Sequence, residues 1–351
     1  MTPLADLLIR RITATGPITV AEYMAECLLH PKHGYYSTRD PFGAGGDFIT
    51  APEISQMFGE LLGLCLAQTW LDQGSPARFT LAELGPGRGT CMADVLRATK
   101  RVPGFHAAAE VWLVEASATL RAVQAKTLAA HQPTWADSVA ALPEQPLYLV
   151  ANEFFDALPI DQFHRTATGW RQYLLGVTEG ALTLGLSDPM PCPDTRFAKD
   201  GIGTLVEICP SATPIAAHLG TLIRRFGGAA IIIDYGGWRS KGDTLQALRN
   251  HAAEDPFANP GQADLTAHVD FEALAVAFGP DMCSSLTDQG ALLTRLGIHA
   301  RAAHLMQKLN GAALENHVTA TRRLTDPAEM GTLFKAMAIR PPHCPPLPGF
   351  A

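Results

Sequence analysis

Several absences narrow what this chain can be. Its seven cysteines are an odd number in 351 residues, and Cys27, Cys65, Cys91, Cys192, Cys209, Cys283 and Cys344 form no Cys-x-x-Cys pair. That pattern fits neither a disulfide framework nor a zinc knuckle and points to a reducing compartment. His30 and His33 have no acid or cysteine spaced to complete a metal site, so no metal is expected. Positive charge is in deficit: 27 Lys and Arg stand against 34 Asp and Glu, a net charge of −7. No broad cationic surface is available for phosphate backbones, and nucleic acid is not an expected partner. No apolar run approaches the roughly 20 residues of a membrane span, so insertion into a membrane is not expected either. Leu4, Leu7, Leu8 and Ile12 recur at helical spacing beside Arg10 and Arg11. Without an apolar core or cleavage site they read as a docking helix rather than a targeting peptide, and a cytoplasmic protein is expected.

What is present is a chain that is 47% apolar, enough for a sizeable core, and long enough for two domains or one with insertions. Residues 1–75 read as a helical extension. Thr19 and Glu22 form a capping-box start, and a long helix is predicted over 52–71, with Ile54, Phe58, Leu61, Leu62 and Cys65 on one face. From residue 76 to 340 strands alternate with helices, which implies a doubly flanked, mostly parallel sheet. Strands are predicted at 79–84, 110–114, 147–151, 204–208, 229–234, 283–287 and 333–339. Helices are predicted at 90–100, 117–130, 157–163, 211–226, 270–278, 289–296 and 300–323. Two segments break the rhythm: 163–188, read as an inserted β-hairpin, and the polar stretch 238–268, long enough for a lid or substrate contact. The proline-rich tail 341–351 reads as extended and poorly ordered.

The most informative stretch is Phe79-Thr80-Leu81-Ala82-Glu83-Leu84-Gly85-Pro86-Gly87-Arg88-Gly89-Thr90. A strand that runs into glycines and then a helix brings bare backbone close to a ligand. The spacing is Gly-x-Gly-x-Gly at Gly85, Gly87 and Gly89, not the Gly-x-Gly-x-x-Gly of dinucleotide folds. S-adenosylmethionine has no phosphate to seat on helix amides, and Glu83 before the turn suits its amino-bearing end. Glu115 ends the apolar strand Val111-Trp112-Leu113-Val114, where a carboxylate accepts ribose hydroxyls in either cofactor class. Asp137 falls where a third strand should begin, within reach of an adenine amino group, with Trp135 near enough to stack. S-adenosylmethionine is the expected cofactor, and a nicotinamide dinucleotide is the alternative these residues leave open.

The fourth strand of such a sheet delivers reactive side chains to the cofactor's edge. Here it ends in Asn152, Glu153 and Asp156, the candidate catalytic residues. Paired carboxylates hold a guanidinium through two parallel hydrogen bonds and can aim one nitrogen at a methyl group. A plain helix-capping role for Asn152 and Asp156 is the competing reading. Asp234 and Tyr235, ending Ile231-Ile232-Ile233, form a secondary candidate on the same edge. His268 is a weaker candidate base.

Five motifs carry a resemblance over roughly Leu4 to Ile339: Pro31-Lys32-His33-Gly34-Tyr35-Tyr36, Gly46-Asp47-Phe48-Ile49-Thr50-Ala51-Pro52-Glu53-Ile54-Ser55, the Glu83-to-Thr90 loop, Asn152-Glu153-Phe154-Phe155-Asp156-Ala157-Leu158-Pro159 and Ile233-Asp234-Tyr235-Gly236. On these the chain resembles the MidA family of S-adenosylmethionine-dependent methyltransferases, bacterial relatives of a mitochondrial complex I assembly factor. The resemblance implies a class I, Rossmann-like methyltransferase fold: a seven-stranded sheet with helices on both faces, a reversed final hairpin and an N-terminal helical extension. It also implies symmetric dimethylation of an arginine on a peripheral-arm subunit of complex I, a protein partner. By motif, Gly85, Gly87, Gly89 and Glu115 would hold the cofactor, and Gly46, Asp47 and Thr50 would cover its methionine end. Methylation of a small molecule or another side chain, and a non-catalytic cofactor-binding chaperone, stand as alternative functions.

Overall fold

The fold is described from a computed structural model covering residues 1–38 and 49–350. Gly46 and Asp47 lie outside the described residues. The central sheet has eight strands, seven of them in one row: β1 (Phe79–Leu84), β2 (Ala109–Val114), β3 (Thr134–Ala136), β4 (Leu147–Asn152), β5 (Gly228–Gly237), β6 (Thr287–Asp288) and β7 (Phe334–Ile339), with the two-residue strand Val269–Asp270 paired off this row against the end of β5. Their order is β3-β2-β1-β4-β5-β7-β6, and β7 runs antiparallel to both neighbours. β1 and β4 are buried at every position, as expected of parallel strands covered by helices on both faces. Two apolar cores result. One lies towards helices 56–72 and 90–99, the other towards helices 212–226 and 271–278. The order reverses between β1 and β4, so the ends of β1, β2, β4 and β5 open a crevice at the switch point.

Helix 56–72 meets helix 90–99 through Gly59 and Gly63. A Cβ at Gly63 would sit 2.8 Å from Val95 Cα, and one at Gly59 2.7 Å from Asp94 Cβ. This approach presses the helix after the glycine loop into place, and it explains why helix 56–72 is buried beyond the single predicted face. Ile54 is separated from it by a break at Ser55, which caps the helix with its hydroxyl 3.3 Å from the Met57 amide. Gly63→Ala is expected to destabilise the fold by about 1–3 kcal/mol through overpacking, read from a denaturant midpoint. An unchanged midpoint would show that the helices yield.

Elsewhere the elements differ from the sequence reading. No helix forms over 157–163. Pro159 disfavours helix at Leu158, and Asp161–Thr166 pairs as a strand with Gly169–Thr178 and Leu205–Ile208. The segment 204–208 therefore joins a separate antiparallel sheet of five strands, which also takes Ile18–Thr19 and Ala181–Leu186, and the inserted hairpin is only part of that sheet. The segment 283–287 contributes a two-residue strand and a bridge from Cys283 to Ile339. The helix predicted over 300–323 is two, Ile298–Met306 and Gly311–Thr325, parted where Gly311 takes φ +52°. Within 238–268 lies a three-stranded sheet, Gln246–Arg249, Ala252–Glu254 and Asp264–Thr266. The tail is packed rather than loose: Leu347 and Phe350 are buried, and the Cys65 thiol donates to the Pro348 carbonyl at 3.3 Å.

Candidate active site

After β1 the chain turns through Gly85 (φ +56°), Gly87 (φ +52°) and Gly89 (φ +81°), the last capping helix 90–99. These are left-handed conformations that glycine adopts without penalty, and a Cβ on Gly85 would also lie 3.0 Å from the Phe154 ring. Glu115, just past β2, is buried; its carboxylate accepts from the Ser117 amide at 2.7 Å and from Gln124 Nε2 at 3.1 Å. Gln124 Nε2 also donates to the Gly87 carbonyl at 2.8 Å, and its oxygen accepts from Trp135 Nε1 at 2.8 Å. This buried amide ties the glycine loop to the ends of β2 and β3. Nothing in the sequence marks it, because a glutamine in a surface-type helix carries no motif.

A cavity of about 290 Å³ opens beside this loop, with Gly85, Gly87, Glu115, Asp137, Val139 and Phe154 in its wall. Asp137 stands at its rim. Its side chain is 92% exposed and pairs with Arg121 at 2.6 Å, so in this structure its carboxylate meets solvent and that guanidinium at the mouth of the cavity. Trp135 is absent from the wall. It packs into the core beside helix 90–99, while its neighbour Ala136 faces the other core, because alternate strand residues point to opposite faces.

A second cavity, of about 310 Å³, lies on the other side of the loop. Thr50, Glu53, Glu83, Asn152, Glu153, Asp156, Tyr235, Asp264 and His268 are among its walls. Tyr36, Gly85, Gly87 and Glu153 border both cavities, so these four residues form the neck between them. Glu153 takes φ +51°, unusual for a non-glycine residue. Its Oε1 accepts from the Ala51 amide at 3.2 Å and from Asn152 Nδ2 at 3.0 Å. Burial, followed by the charge of Asp156, pushes its carboxyl up to about 8. Burial likewise pushes Glu83 up to about 8 and raises Asp156 and Asp234. Among the described residues Glu83 Oε2, Asn152 Oδ1 and Asp156 Oδ1 have no hydrogen-bond partner. All three belong to one cavity wall, and such orphaned buried atoms mark a place built to meet a ligand.

These features fit S-adenosylmethionine. The first cavity is largely apolar with a fixed carboxylate at its end, as a nucleoside needs, and Glu83 offers an unpaired oxygen for an ammonium. Thr50 caps the short helix 51–54 without using its hydroxyl, which stays with the cavity wall. Tyr36 and Asp264, hydrogen-bonded at 2.8 Å, were not singled out by sequence. The only signal for Tyr36 was its place in the Gly34-Tyr35-Tyr36 motif, and Asp264 sat in a segment read as a lid. Among the described residues no group of three or more His, Cys, Asp or Glu could hold a metal, and no helix is long and apolar enough to cross a membrane.

Comparison with known proteins agrees with this geometry. Residues 61–285 match Methyltransf_28, a family described as S-adenosyl-L-methionine-dependent methyltransferases. The chain is 37% identical to the protein arginine methyltransferase NDUFAF7, mitochondrial, of Danio rerio, over 94% of this chain and 85% of that one. The Homo sapiens protein of the same name is 36% identical over 97% of this chain and 84% of its own. A COG1565 superfamily member from Burkholderia thailandensis, bound to S-adenosyl-homocysteine, superposes with a TM-score of 0.84 at 30% identity, covering 99% of this chain and 94% of that one. The expectation of a cytoplasmic protein does not stand, since these relatives are named as mitochondrial.

Proposed function

Because this chain belongs to the Methyltransf_28 family of S-adenosyl-L-methionine-dependent methyltransferases, we propose that it methylates a protein arginine, to the symmetric dimethyl product, on a peripheral-arm subunit of respiratory complex I. The observation that carries the arginine reading is Glu153 at the neck, backed by further acids. With Glu83 left to the ammonium of the cofactor, Glu53, Glu153, Asp156 and Asp264 face the second cavity, against Arg88 as its one Lys or Arg among the described residues. That wall favours a cation and disfavours an anionic or neutral acceptor. The relatives named protein arginine methyltransferase support it, and the choice of complex I rests on the family resemblance.

The bound cofactor supplies an electrophilic methyl group on a sulfonium, a good leaving group. The protein's task is to orient the acceptor and manage its charge. Glu153 would accept hydrogen bonds from the guanidinium and turn one nitrogen towards the first cavity. The proton displaced when that nitrogen is methylated passes to the carboxylate cluster. Gly85 and Gly87 leave the neck open, and the apolar wall around Phe154 and Val139 keeps water from the cofactor side.

A pH effect follows. With no cation present Glu153 holds its proton up to about pH 8. A docked guanidinium favours the carboxylate and lowers that value, so docking at neutral pH releases a proton. Affinity should therefore rise with pH up to about 8 and then level off. Calorimetry in buffers of different ionisation enthalpy should show net proton release at pH 7 that falls in E153Q; release unchanged in E153Q would remove Glu153 from acceptor binding. For the partner, purified protein and labelled cofactor are added to lysate of a strain lacking the gene. Peptide mapping should place the label on a complex I peripheral-arm subunit; label confined to other proteins would refute that choice.

A further inference from the structure

Glu153 is held in an uncommon backbone conformation, and the residue that holds it comes from another strand. Asp234, in β5, is fully buried. Its Oδ2 accepts from three successive amides, Phe154 at 3.2 Å, Phe155 at 3.0 Å and Asp156 at 3.3 Å. Its Oδ1 accepts from the Tyr235 amide at 3.1 Å. On the near side of the turn the Glu153 amide donates to the Ile233 carbonyl at 2.9 Å, completing the β4–β5 ladder. The chain must therefore leave the sheet at Glu153 and curl at once around a single oxygen, which forces the positive φ at residue 153.

We propose that Asp234 is a positioning residue for acceptor binding: by gathering the amides of residues 154–156 onto one oxygen, it fixes Glu153 in the neck between the two cavities. Asp234 is not in the wall of either cavity, so it touches neither acceptor nor cofactor and acts through Glu153. The residue occupies the place that a loop capped only by water would leave free to unwind. Three N–H groups converging on a carboxylate make an anion nest, and these contacts oppose, without outweighing, the rise that burial and the neighbouring Asp156 and Glu153 impose on Asp234. Asn at this position can still receive the three amides through its oxygen, but its NH₂ would face the Tyr235 amide, donor against donor. Ala would lose all four bonds.

The proposal rests on the reading of Glu153 as the guanidinium clamp, and the test separates the two. The affinity of S-adenosylhomocysteine-bound protein for Nα-acetyl-L-arginine amide is measured in wild type, E153Q, D234N, D234A, and E153Q combined with each Asp234 change. Thermal melts confirm folding, and the affinity for S-adenosylhomocysteine alone is the control. D234A should weaken the arginine probe by about tenfold or more, the worth of lost bonds to a charged group, with D234N in between. In the E153Q background neither change should weaken it further, and the cofactor product should bind equally in all. Equal weakening in both backgrounds, or matched loss of S-adenosylhomocysteine binding, overturns the positioning role and leaves the clamp intact. An E153Q protein that binds the probe like wild type overturns the clamp, and this proposal with it. If D234A fails to fold, D234N carries the same comparison.

Discussion

Glu153→Gln should abolish most methyl transfer while leaving S-adenosylmethionine affinity within a small factor of wild type. The change is nearly isosteric. A glutamine oxygen can still accept from the Ala51 amide and from Asn152, as Glu153 Oε1 does, so the neck should keep its shape. What is lost is the charge that meets a guanidinium. Removing one member of a buried, hydrogen-bonded ion pair costs about 2–5 kcal/mol, so turnover with the protein acceptor should fall by roughly 30-fold to several thousand-fold. Single-turnover methyl transfer, set beside calorimetric titration with S-adenosylhomocysteine, checks both halves. Parallel loss of cofactor binding would mean that Glu153 serves the cofactor cavity, whose wall it also borders.

Glu115→Ala should give the opposite pattern. The carboxylate stands at the end of the apolar cavity, oriented by the Ser117 amide and Gln124. Its loss removes two charge-assisted acceptors from ribose hydroxyls, each worth about 1.5–3 kcal/mol. Gln124 would also lose one of the contacts that ties it to the Gly87 carbonyl and to Trp135, which adds some loosening of the loop. The dissociation constant for S-adenosylhomocysteine should rise by roughly 10²- to 10⁴-fold. The rate at saturating cofactor should change far less, because the acceptor side is untouched. A large fall in that rate with unaltered cofactor affinity would contradict the placement of the two ligands in the two cavities.

The parallel core was legible because its signals are local. A run such as Ile231-Ile232-Ile233, buried throughout, can only be a covered strand, and the glycines after β1 announce a turn that excludes side chains. The antiparallel insertion was harder to read. Ile18–Thr19 pairs with Leu174 and Leu175 far along the chain, and no local pattern encodes such a partner. The helix expected over 157–163 failed for a related reason: the alternation of strands and helices that placed it was outweighed by Pro159 and by long-range strand pairing. At the site, residues flanking glycines or ending strands could be named in advance. Gln124 and Asp264 could not, since their roles arise from elements brought together only by folding. Position along the chain also says nothing about which way the Asp137 side chain turns at a loop rim, and here Arg121 draws it outward.

The central claim is that the neck at Glu153 passes a methyl group to an arginine. The most direct test hydrolyses the labelled protein fraction to free amino acids after incubation of wild-type or E153Q protein with isotopically labelled S-adenosylmethionine and gene-deleted lysate. Label in symmetric dimethylarginine, present with wild type and lost with E153Q, is the predicted result. Label on another amino acid or only in small molecules, or an equal yield from E153Q, would contradict the account.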